Sequence, residues 1–132
     1  MVRDWTMPLD EEDRGVLADT RVRFEACLAD IAAAERDPFA AASALEQHLA
    51  AMSTGFLPPP AQVLWTDRIA RVLKSDPAKP LTPRAMSAIR SWPLARIDEL
   101  TAALTEIHEV LVETENEALH EAIYAEISRA YS

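Results

Sequence analysis

Residues 93–131 read PLARIDELTAALTEIHEVLVETENEALHEAIYAEISRAY, and this stretch decides the fold. It is the longest run in the chain without an internal proline or glycine. Ile97, Leu100, Leu104, Ile107 and Leu111 recur at alternating spacings of three and four. Residues so spaced lie one above another on a helix, so the five share a face. Leu119, Ile123 and Ile127 continue the apolar pattern toward the end of the run. No other segment offers a comparable seam, so the remaining helices are expected to pack against this one.

A helix of this length raises a geometric problem. At 1.5 Å per residue it would span about 58 Å. A compact chain of 132 residues has a radius of gyration near ~14 Å and a diameter of roughly 35–40 Å. A straight helix would overhang the rest. Between Leu111 and Leu119 the apolar face also turns by about 80° at 100° per residue. Between them Thr114, Glu115, Asn116 and Glu117 match the S/T-x-x-E capping box. Two outcomes stay open. The helix kinks and restarts near Thr114, the preferred one, or it runs on and its tail packs on another subunit.

Length and composition bound the rest. The 132 residues favour a single domain over 1–132. Such a chain buries enough surface to fold without disulfide or metal. Apolar residues make up 49% and there are only two glycines, which suits helices and starves a sheet of turns. Cys27 is the one cysteine, so no internal disulfide forms. With no secretory signal legible, a reducing cytoplasm is the expected compartment. No apolar run approaches the ~20 residues of a membrane span. The abundance of Ala, Arg and Asp suggests a bacterial source.

The net charge of −9 is unevenly laid out. Residues 1–60 carry a net −6, residues 61–96 a net +5 and residues 97–132 a net −8. A basic middle between acidic ends points to helices that neutralise one another. A basic patch for a partner is the less favoured reading.

Taken in order, residues 1–8 read as an N-terminal arm that Trp5 anchors as a lid on the core or as a partner contact. Helix 1 starts near Leu9 or Asp10, with Asp10, Glu11, Glu12 and Asp13 complementing the dipole of its first turn. Its seam is Leu17, Thr20, Phe24, Cys27, Ile31 and Ala34, broadened by Leu28. Cys27 in that seam reads as a buried, inert thiol. Asp37 and Pro38 cap and open helix 2. That helix runs to about Ser53 with Phe39, Ala42, Leu45, Leu49 and Met52 on one face, so helices 1 and 2 form an antiparallel hairpin. His48 sits at its boundary.

Residues 54–60 form a proline-rich connector in which Gly55 takes the cap and the prolines run extended. Phe56 and Leu57 tuck inward. Helix 3 covers about Ala61 to Lys74, burying Trp65, Ile69, Val72 and Leu73. Residues 75–83 form a second proline-rich connector. Thr82 and Pro83 then open a short helix 4, running to about Ser91 and burying Met86, Ile89 and Trp92.

The strongest chemical candidate is Glu117-x-x-His120. That spacing puts a carboxylate and an imidazole on one helical face, as in di-iron bundles, which use two such pairs with further glutamates. Glu113, Glu109 and Glu106 share the broad face. No second Glu-x-x-His exists in the chain, although a dimer would supply one by symmetry. These carboxylates face away from the apolar seam, so a solvated acidic stripe with a surface histidine is the preferred reading. His108 reads as a boundary residue. Two isolated glycines cannot build a phosphate loop. Nucleic-acid binding would rest on Arg68, Arg71, Lys74, Lys79, Arg84, Arg90 and Arg96, with Trp65 or Trp92 to stack. The overall charge opposes it, and helices 3 and 4 are joined by too long a link for a helix-turn-helix.

No family motif stands out. The expected fold is all-α, an irregular bundle of about five helices with a long amphipathic C-terminal helix. The expected function is a non-enzymatic protein–protein interaction module: a small cytoplasmic adaptor, regulator or chaperone. No cofactor is implied. The expected partner is another protein, with homodimer formation through Leu119, Ile123, Tyr124 and Ile127, the acidic tail of one chain lying against the basic 61–96 surface of the other. The alternatives are a carboxylate/histidine metal-binding bundle, with or without enzymatic activity, with Glu113, Glu117 and His120 as its ligand candidates, and a nucleic-acid binder using residues 61–96.

Overall fold

The computed structural model describes residues 9–53, 56–74 and 82–130. All the regular structure among them is helical. Helix α1 spans Glu11–Ala33, α2 Pro38–Ser53, α3 Pro59–Leu64, α4 Pro83–Ser87 and α5 Leu94–Ala130. Helix α3 continues into a π-helical turn, Trp65–Ala70, and α4 into a 3₁₀ turn, Ala88–Ser91. The result is an all-α bundle of about five helices with one long C-terminal member. The arm 1–8 with Trp5, the Gly55 cap, most of the second connector (75–81) and Lys79 lie outside the described residues.

Local chemistry explains the boundaries. Asp10 caps α1: its carboxylate accepts from the Asp13 backbone N–H at 2.7 Å, and Asp13 accepts from the Asp10 N–H at 3.4 Å. This reciprocal pairing satisfies donors that a helix start leaves open. Asp37 caps α2 from one side only, its carboxylate accepting from the Phe39 N–H at 3.0 Å. Between them Glu35 and Arg36 take positive φ of 49° and 66°. Two non-glycine residues in the left-handed region make the α1–α2 link tight and locally strained.

Five α5 residues form the spine of the core, as their spacing predicts. Ile97, Leu100, Leu104, Ile107 and Leu111 are all at most 1% exposed. Each contributes roughly 1.5–3 kcal/mol by leaving water. Helix α1 packs on both α5 and α2, α3 and its π turn pack on α5, and the α4 region packs on α2. Leu17, Phe24, Cys27, Leu45, Leu49, Met52, Trp65, Ile69 and Ile89 complete one continuous cluster. Phe24 and Trp65 meet edge to face at 6.4 Å, which joins α1 to α3. Thr20 is buried with its hydroxyl used twice, donating to the Val16 carbonyl and accepting from the Phe56 N–H. Ile31, expected in the core, is half-buried at its edge.

Three expectations need correction. The long helix does not break near Thr114: α5 is continuous over 37 residues. The Thr114 hydroxyl donates to the Val110 carbonyl at 2.8 Å, four residues back, so it is spent on the preceding turn rather than on capping a new helix. Phe39 is not in the core but 69% exposed. The buried line of α2 is Ala41, Leu45, Leu49 and Met52, and Phe39 lies about 120° around the helix from Leu45. The prolines of the first connector are not all extended. Pro58 caps α3, and Pro59 and Pro60 form its first turn, where absent N–H groups cost nothing.

Ala61, Trp65, Ile69 and Leu73 are all buried and all four residues apart. In an α-helix each such step drifts by about 40°. The wider i→i+5 turn over Trp65–Ala70 reduces that drift and keeps the four on one side.

Candidate interaction surface

Helices α1 and α5 run antiparallel, and their polar contacts mark the register. Arg36 pairs with Asp98 at 3.2 Å, His108 with Glu25 at 3.0 Å, and Arg21 with Glu115. Arg21 also reaches Glu25 at 2.7 Å. The hydrogen bond from His108, followed by that from Arg21, holds the Glu25 carboxyl below its ordinary value. Glu115 and Glu25 in turn hold the Arg21 guanidinium more firmly charged. Arg36–Asp98 is exposed and adds little to stability, whereas Arg21, Glu115 and His108 are half-buried.

The register brings the start of α1 beside the last third of α5. A groove of about 360 Å³ opens there, lined by Glu11, Arg14, Gly15, Glu115 and Leu119. Gly15 forms part of its wall, and a Cβ added at that position would meet nothing within 4 Å. Its φ is not positive either. The fold of this chain therefore gives no steric or conformational reason for a glycine inside α1, where it weakens the helix by about 1 kcal/mol relative to alanine.

From this groove α5 leaves the bundle. Ala118 is its last buried residue. Leu119, Ile123, Tyr124 and Ile127 are 54%, 48%, 74% and 50% exposed. They form an apolar stripe on an overhang of about 18 Å. Soluble chains seldom leave such a patch bare unless it meets something. These are the four residues whose spacing singles them out in the sequence. Glu11, Arg14 and Gly15 carry no such signal: Glu11 reads only as a first-turn acid, and the clue at Gly15 is a glycine in the second turn of a well-capped helix.

The other candidates separate. Glu113, Glu117 and His120 are all exposed on α5. Among the described residues no group of three His, Cys, Asp or Glu side chains is placed to hold a metal ion. Glu106 is engaged by Arg68 at 2.8 Å, and His48 meets Asp30 at 2.7 Å. In the basic middle Arg68 is thereby directed at its own chain, as is Arg90, which binds Glu46 at 2.8 Å. The Arg96 guanidinium lies over the Trp92 ring at 5.1 Å. Trp65 and Trp92, the aromatics that nucleic-acid binding would need for stacking, are buried, as their helical seams predict. Cys27 is fully buried, and loss of hydration pushes its thiol up to about 12, with Asp30 adding to the effect. No helix among the described residues is long and apolar enough to cross a membrane. Comparison with protein-family models, with curated proteins and with solved structures finds no match to this chain.

Proposed function

We propose that the protein is a non-enzymatic interaction module of the cytoplasm that self-associates as a homodimer through the C-terminal overhang of α5. The observation that carries this reading is the stripe of Leu119, Ile123, Tyr124 and Ile127 on a helix continuing well beyond its last buried residue. A symmetric pair is the commonest closed way to cover such a face. The two arginines of the basic middle that bind Glu106 and Glu46 are less available to a partner's acidic tail, which shifts the interface toward the tail itself.

Sedimentation velocity at increasing concentration tests the reading. The intact chain should pass from monomer to dimer in the micromolar range or below, and Ile123→Asp should remain a monomer with unchanged helicity. A monomer at concentrations well above micromolar would rule out self-association. Added zinc, iron or manganese should leave the melting temperature unchanged. Stoichiometric metal retained through purification and lost in His120→Ala would instead favour a metal-binding bundle.

A further inference from the structure

We infer that the groove at Gly15 seats the end of a second copy's α5, with the two tails antiparallel about Ile123 and Glu126 of each copy on Arg14 of the other. The inference rests on the self-association proposed above and specifies its contacts.

Four side chains on a short overhang cannot supply the roughly 1,200–2,000 Å² that a stable interface buries. A partner must reach further, and the groove is the next surface along, since Leu119 belongs to both stripe and groove. With Ile123 on the two-fold axis, Leu119 of one copy meets Ile127 of the other. The partner's Ala130 then lies level with Asn116, beside the groove. Gly15 leaves room there for another helix to approach α1 closely. That requirement accounts for a glycine the isolated chain does not need.

Charge points to the same register. Arg14 and Glu126 each have no hydrogen-bond or ion-pair partner for their side chains among the described residues. At 100° per residue Glu126 sits about 60° from Ile123, on the side of α5 that carries Leu119 and Glu115 and faces α1. An antiparallel two-fold keeps like flanks together, so the partner's Glu126 arrives on the α1 side, level with His120 and next to Arg14. Glu117 and Glu121 lie about 120° and 160° from Ile123 and stay out of the contact. The remaining acids of the tail therefore do not meet across the axis.

Charge reversal provides the test. Arg14→Glu and Glu126→Arg, each checked for native helicity and melting temperature when dilute, should self-associate roughly tenfold more weakly than the parent. Mixing the two variants in equal amounts should restore parental association, because the mixed pair re-forms both contacts. Gly15→Phe should fill the groove and weaken association without lowering the stability of the dilute protein. If the intact chain dimerises and the mixture associates no better than either variant alone, the Arg14–Glu126 register is wrong while self-association stands. If the intact chain stays monomeric, both readings fall.

Discussion

At the scale of single residues, the side chains that resist a simple polar-or-apolar reading are the informative ones. Thr20 falls in the apolar seam of α1 and is buried there because both hydrogen-bonding roles of its hydroxyl are filled within the chain. Phe39 falls outside its expected seam because the N-terminal part of the α2 core face is formed by Ala41 and Ala42, whose small side chains give a weak periodic signal. Glu35 is held at a φ of 49°. Glu35→Gly should relieve that conformation and raise stability by about 0.5–1 kcal/mol, after allowing for the greater freedom of glycine in the unfolded chain. Urea titration would measure it. Cys27 should be inert to thiol reagents in the native protein and react only on unfolding. Its ordinary value is 9.0 and its folded value is about 12, so its contribution to stability is full below 9 and is lost as pH rises toward 12. Glu25 works in the opposite sense. Its folded value lies below the ordinary 4.5, so its contribution is present above that pH and lost as pH falls through the lower folded value. Melting temperature followed from neutral pH downward should show a shallower acid decline in Glu25→Gln.

Among the elements, α5 was legible because a strict three-four alternation over Ile97 to Leu111 admits one periodicity. Leu104→Ala should cost on the order of 2–5 kcal/mol, since Leu104 is fully buried mid-seam. A loss below about 1 kcal/mol in urea titration would mean another helix organises the core. The continuity of α5 past Thr114 was not legible. Thr-x-x-Glu has the same spelling whether the threonine caps a helix or donates back to the preceding turn, and only the neighbouring turns decide. The π turn was hidden for a related reason. A run of apolar residues four apart fits an α-helix that drifts or a wider turn that does not, and the surface it packs on selects between them. The stripe of the candidate site could be read because its residues are large and periodic. The groove could not, because it is formed by the register of α1 against α5, which the order of residues in either helix does not reveal.

For the molecule as a whole, charge opposes what the apolar surface favours. Two copies each carrying −9 repel at long range. The interface inferred here is apolar at its centre, with one opposite-sign pair on each side. Screening should therefore relieve more repulsion than attraction. Self-association should tighten as ionic strength rises from about 0.05 M to 0.5 M, over which the screening length shrinks from beyond 10 Å to a few ångströms. Association that weakens steadily over that range would assign the contact to ion pairs instead. The continuity of α5 also has a consequence in time. Amides of residues 97–111 sit in the core and should exchange with deuterium only through global unfolding, whereas those beyond Ala118 should open by fraying and exchange orders of magnitude faster. One helix thus carries a slow clock and a fast clock on the same backbone. If a second copy covers the overhang, the fast clock alone should slow as protein concentration rises, and amide exchange along α5 would show residue by residue where the partner begins.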